Sequence, residues 1–120
     1  MYSKLIPILP VSDVRAERAF YENLGFRLHV DPVETYPEDE FAALQHGDHI
    51  LFGLSFGESA QAVTAYGLHW QIETTDIAAV HALAVRHAIK VIQPPTLAVW
   101  GRRTMTLGSP CGYTVGFEEA

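Results

Sequence analysis

The chain contains one cysteine, Cys111, in 120 residues. It cannot form an internal disulfide, and nothing in its composition calls for an oxidising compartment. Cationic residues are scarce: eight Lys and Arg stand against 14 Asp and Glu, a formal net charge of −6. That balance argues against nucleic acid and anionic membrane as partners and suits a cationic ligand. No apolar run approaches the roughly 18 residues that a membrane span needs. The N-terminal MYSKLIPILPVSD is broken by two prolines and Asp13, so no signal peptide is expected and the expected location is the cytoplasm. Also missing are a Gly-rich phosphate loop, a G-x-S-x-G nucleophile elbow and paired Cys sets, each of which would have named a chemistry.

What is present is apolar residue: 48% of the chain is hydrophobic, enough for the core of one small domain spanning residues 1–120. It is also self-similar. Shifted by 63 residues, VSDVRAERAFYENLGFRL (11–28) lies over TTDIAAVHALAVRHAIKV (74–91), so that Asp13 meets Asp76, Ala16 meets Ala79 and Ala19 meets Ala82. Without a gap, the same offset lays Phe52-Gly53-Leu54 over Val115-Gly116-Phe117 and Leu9 over Ile72. A constant offset through both halves indicates two copies of one unit, about 4–56 and 67–118.

Each unit reads as β-α-β-β-β. KLIPILPV is β-rich and predicts a strand over 4–11. Ser12 or Asp13 can cap the following helix, whose Ala16, Ala19, Phe20 and Leu24 share a face and which Gly25 stops. FRLHV predicts a strand, and FAALQ with HILFGLS a hairpin around Gly47-Asp48. The second unit repeats the order: a strand over 67–73, a helix over 76–88, a strand over 89–93, and a closing hairpin about 102–107 and 113–117. FGESAQAVTAYG, rich in small residues, is the expected linker. The expected fold class is α+β, two β-α-β-β-β repeats forming a curved mixed sheet with a cleft. Trp70 is expected in the core beneath a helix, and Cys111, in a turn, to be inert.

This pattern resembles the vicinal oxygen chelate superfamily, which includes glyoxalase I, extradiol dioxygenases and bleomycin-resistance proteins. The likeness is carried by VSDVRAERAFYENLGF and by WGRRTMTLGSPCGYTVGFEE, with Ser109 where the family usually has Asp. The family's metal-dependent members take two ligands from each half. The resemblance puts those positions on Ile6 and Gly53, and on His69 and Gly116. The repeat offset pairs the same positions with each other. A divalent ion needs three or four converging donors; one imidazole and two glycines do not supply them, so no metal and no other cofactor is expected. Gly116, an otherwise puzzling glycine in mid-strand, stands where a ligand carboxylate would be, and a glycine in mid-strand on the cleft face, at 53 or 116, would also widen the cleft floor. His69, Gln71 and Glu73 share one strand face and form the one residual metal-like cluster.

Within the superfamily, the metal-free bleomycin-resistance proteins are the nearest in pattern. They are dimers that sequester a cationic glycopeptide in interface clefts. IPIL with Pro7, EFAAL followed by GDHILFGL, and VWGRR are similar to their segments. The resemblance implies a ligand-stacking role for Trp100 and a groove-lining one for Phe41, and it puts His69 where at least one such protein has an aromatic. Gln71, on the same strand face as His69, is expected to line the cleft with them. Glu38 and Asp39, from the acidic stretch DPVETYPEDE, lie at its rim. Aromatic faces and an acidic rim would favour a planar or cationic ligand. The expectation is thus a homodimer that binds a small cationic or aromatic molecule without turnover. The alternative is a divergent lyase or dioxygenase of the superfamily using His69 and Glu73 with donors from elsewhere. A third possibility is a scaffold that binds some unrelated metabolite.

Overall fold

A computed structural model describes residues 1–30, 36–57 and 69–120, with the backbone alone at His69. The elements in chain order are β1 (Ile8–Val11), α1 (Val14–Asn23), β2 (Arg27–Leu28), β3 (Phe41–His46), β4 (Ile50–Phe56), β5 (His69–Thr74), α2 (Ile77–Arg86), β6 (Lys90–Leu97), β7 (Arg103–Gly108) and β8 (Thr114–Glu119). They form two four-stranded mixed sheets, ordered β1-β4-β3-β2 and β5-β8-β7-β6. Residues 58–67 of the expected linker and the acidic residues Asp31 and Glu34 lie outside the described residues.

The repeat holds at the level of individual ladder rungs. Ile8 pairs with Gly53 and Gln71 with Gly116; Ala43 pairs with Gly53 and Thr106 with Gly116; Arg27 pairs with Gln45 and Lys90 with Gly108. Each second pair is the first advanced by 63. The helices obey the same offset, because each begins at an Asp whose side chain accepts the backbone N–H three residues on, Asp13 from Ala16 and Asp76 from Ala79, both at 3.0 Å. That bond satisfies one donor that the first helical turn leaves open. Both helices close with the chain in the left-handed region, at Gly25 (φ 99°) and Ala88 (φ 53°).

Strand alternation then sorts the side chains. Ala42, Leu44, Phe52 and Leu54 of the first sheet, and Met105, Leu107, Val115 and Phe117 of the second, are buried in one cluster with Phe20, Tyr21 and Ile77 from the helices. Phe52 is its hinge: its ring meets Tyr21, Phe26 and, from the other half, Trp70, at centroid distances of 4.8, 5.8 and 5.6 Å. The opposite face of each sheet is left open.

Three strand bounds differ from expectation. β1 starts at Ile8 rather than residue 4, because Pro7 has no N–H to give the ladder; its carbonyl still accepts from Gly53, at 2.8 Å. β2 shrinks to two residues. β6 runs on to Leu97 through Pro94-Pro95, with its register slipping twice against β7; as the edge strand it needs no N–H on its outer side.

Candidate functional site

The open face of the first sheet carries a cleft of about 620 Å³. Ile8 comes from β1, Phe41 and Ala43 from β3, and Leu51 and Gly53 from β4, with Ile6 on the arm before β1. Gly53 has a steric reason. A Cβ there would lie 3.0 Å from Cζ of Phe41 and 3.3 Å from Cγ1 of Ile8. The ring therefore lies over the glycine. Instead of widening the floor, Gly53 lets Phe41 and Ile8 close it. Tyr36 stands 4.8 Å from Phe41, ring to ring, and extends the aromatic wall.

This cleft does not fit a metal. Ile6 has no donor atom, and the space a carboxylate at position 53 would need is taken by the Phe41 ring. Among the described residues, no group of three or more His, Cys, Asp or Glu is placed to hold an ion. The rim is of mixed charge, with Lys4, Arg18, His29 and Glu38. Glu38 pairs with Arg15 at 3.5 Å and Arg18 with Glu22 at 2.9 Å. The first of these pairs is well exposed and contributes little to stability. Asp39 is exposed beside them.

On the second sheet the open face is polar. Gln71, Glu73, Thr104, Thr106 and Glu118 occupy rungs equivalent to those of Ile8, Pro10, Phe41, Ala43 and Ser55. Trp100 is 64% exposed, and its indole N–H donates to Oε1 of Glu118 at 2.9 Å. Arg102 reaches Glu73 at 3.6 Å. Within one chain, Phe41 and Glu38 thus share the first-half cleft, Trp100 belongs to the second half, and Gln71 lines a separate hollow beside β5. His69 opens β5, on the rung of Thr114.

Sequence reasoning missed the junction between the halves. Glu17, on α1, is fully buried. Its Oε1 accepts the Cys111 N–H at 2.7 Å, while among the described residues no hydrogen-bond partner is found for Oε2 or for the nearby Tyr21 hydroxyl. Burial pushes the Glu17 carboxyl up from its ordinary range, and hydrogen bonds from Ser109 and Cys111 oppose the shift without cancelling it. Tyr21 is also pushed up, by burial and then by the Glu17 charge. The Tyr113 hydroxyl donates to the carbonyl of Pro10. Ser109 supplies the side-chain bond of the 109–113 turn, its Oγ accepting from Tyr113 N at 3.0 Å. Cys111 rests its Sγ 3.6 Å from the Asp13 carbonyl, and burial raises its thiol, the opposite of what a reactive thiolate requires. The signal available in the sequence was Glu17 itself, a charge at i−3 from Phe20 on the apolar face of a helix.

Two sheets of the same strand order, matching rung for rung except at the edge strands β2 and β6, each backed by one capped helix and open on its other face, define the paired β-α-β-β-β architecture. The sequence profile of the Glyoxalase/Bleomycin resistance protein/Dioxygenase superfamily matches residues 5–117. The chain belongs to that superfamily. Among solved structures, it is similar to a bleomycin-binding protein from bleomycin-producing Streptomyces verticillus, complexed with copper(II)-bleomycin (26% identity, TM-score 0.73, covering 100% of this chain and 98% of that one). It is also similar to a bleomycin resistance determinant encoded on the transposon Tn5 (20%, 0.75, 98% of each chain). A third likeness is to a glyoxalase/bleomycin resistance protein from Catenulispora acidiphila (22%, 0.74, 99% of each). No curated protein sequence matches. Among the described residues, no helix is long and apolar enough to cross a membrane.

Proposed function

We propose that this protein is a metal-independent binding protein that sequesters a cationic or aromatic small molecule, without turnover, in a cleft completed by a second copy of the chain. The observation that carries the reading is the Phe41 ring lying over Gly53, which turns the family's ligand position into an apolar, aromatic floor. A cleft of this size and lining is typical of small-molecule sites, and the Streptomyces relative is complexed with copper(II)-bleomycin. The second copy answers a different observation: Ile6 and Ile8, at the edge of the first-half cleft, are 42% and 56% exposed. A partner that sets its polar second-half face over this cleft would bring Trp100 and Gln71 opposite Phe41, with Glu38 and Asp39 at the rim and the start of β5, where His69 stands, beside them. The net charge of −6 steers cations toward it. The protein would act in the cytoplasm.

The test is calorimetric titration of metal-stripped protein with bleomycin, alongside light scattering. Saturation near one ligand per chain on a dimer is expected. Phe41→Ala and Trp100→Ala should each weaken binding by roughly 2- to 30-fold, the equivalent of about 0.5–2 kcal/mol for one aromatic–cation contact. Absence of heat would remove bleomycin as the ligand. A monomer at micromolar concentration would remove the shared cleft.

A further inference from the structure

The two halves meet at two junctions related by the repeat, and the two are filled differently. At one, the 109–113 turn packs on β1. Tyr113 is 1% exposed there, and its hydroxyl donates to the Pro10 carbonyl. At the other, the 46–50 turn approaches β5. Ile50 stands in the place of Tyr113 and Glu73 in the place of Pro10, 63 residues removed in each case. Here the structure has a hollow of about 530 Å³, bounded by His46, His49, Ile50, Trp70, Ile72 and Glu73.

We propose that this hollow is a binding site for a monocyclic phenol, held as the Tyr113 side chain is held at the other junction. Tyrosine carries a p-hydroxybenzyl group where isoleucine carries a smaller sec-butyl group, so the ring and hydroxyl that fill the first junction have no counterpart at the second. Its acceptor is in place. Thr74 turns its carbonyl toward β8, where it accepts Ala120 N at 2.9 Å. Carbonyls alternate along a strand, so the Glu73 carbonyl points off the free edge of β5, as the Pro10 carbonyl does from β1. The walls suit a ring. Ile50 and Ile72 are apolar, Trp70 presents the part of its indole not packed on Phe52, and the His46 imidazole is fixed edge-on to Phe26 at 5.6 Å. The charges do not favour an anion: among the described residues no Lys or Arg lines the hollow, and the one carboxylate there, on Glu73, is engaged by Arg102.

The probe is p-cresol, the tyrosine side chain itself, followed by NMR of the two indole N–H signals and the amides of 46–50. A saturable shift of the Trp70 indole and of those amides is expected, with the Trp100 indole unmoved. The methyl ether of p-cresol cannot donate and should bind about fivefold more weakly, the equivalent of one lost hydrogen bond of about 1 kcal/mol. Ile50→Tyr should fill the hollow, abolish the cresol response and raise Tm. Three results would each overturn the proposal: no saturable shift at Trp70, a shift at Trp100 instead, or equal affinity for cresol and its ether. The ether comparison uses the unaltered protein and decides the matter even if the Ile50→Tyr variant does not fold.

Discussion

The first half of this protein and the second share every rung we can compare, yet they are packed to different depths. α1 buries Val14, Glu17, Phe20 and Tyr21; α2 buries Ile77 and Ala84. β3 and β4 present Phe41, Ala43 and Leu51 to their open face, where the equivalent rungs of β7 and β8 present Thr104, Thr106 and Thr114. Both halves leave large apolar side chains exposed, among them Ile6, Ile8 and Phe56 in the first and Ile92, Leu97 and Trp100 in the second. Backbone pairing is thus separable from side-chain filling. Caps, turns and alternation set the ladder, and the residues on each rung decide what the half can hold. One half thus carries an apolar cleft and the other a polar, Trp-bearing face.

The sharpest way to break the comparison is at Phe52, whose equivalent is Val115. Phe52 joins the aromatic cluster of its own half to Trp70 of the other. Phe52→Ala should cost about 3–5 kcal/mol, the usual range for a buried phenylalanine, and should shift Trp70 emission toward that of exposed indole. Val115→Ala removes two methyl-sized groups and should cost about 1.5–2 kcal/mol, with Trp70 emission unchanged. Denaturant melts with fluorescence read both. Equal costs would mean that the two halves carry the core alike.

A smaller and pH-dependent effect separates the junctions. Glu17, whose equivalent is Val80, has its carboxyl pushed up by burial when folded. Its contribution to stability is therefore fully present below the unfolded carboxyl range, and is lost as pH rises through the folded value, because the folded state then holds a proton that the unfolded state has released. Glu17→Gln keeps the acceptor for Cys111 N–H and removes the titration. Tm measured against pH should fall less steeply from acid to neutral in the variant than in the parent. Superimposable profiles would place the Glu17 proton outside the folding equilibrium.

Much of this architecture is legible in the sequence because its determinants are local and repeat. Asp13 and Asp76 before the helical runs, Gly25 after the first, and alternation in FAALQ and HILFGLS each dictate one element, and their common offset dictates the pairing. The strand ends were less legible, since they depend on neighbours. β1 cannot extend through Pro7, and β6 can run through two prolines only because it is an edge. The open cleft at Phe41 was legible by residue type, whereas the role of Gly53 was not. A glycine that makes room for a ligand and one that makes room for Phe41 look the same until the ring is placed. The buried Glu17 was illegible for a related reason. A carboxylate on a helix is ordinarily solvated, and only the return of the distant 109–113 turn covers it.

The smallest effect lies where the halves agree in backbone and differ in residue. Both helices end in the left-handed region, which an L side chain enters at a cost of about 1 kcal/mol and glycine enters freely. Gly25 carries this in the first half; Ala88, at φ 53°, in the second. A Cβ at Gly25 would meet nothing within 4 Å, so Gly25→Ala isolates the backbone term. It should destabilise by about 1 kcal/mol, while Ala88→Gly should stabilise by up to about 1 kcal/mol, less the added freedom of glycine in the unfolded chain. Opposite signs in paired thermal melts are the expected outcome. A loss of stability in Ala88→Gly would mean that unfolded-chain entropy outweighs relief of the strained turn, and that the alanine is the better residue there despite its conformation.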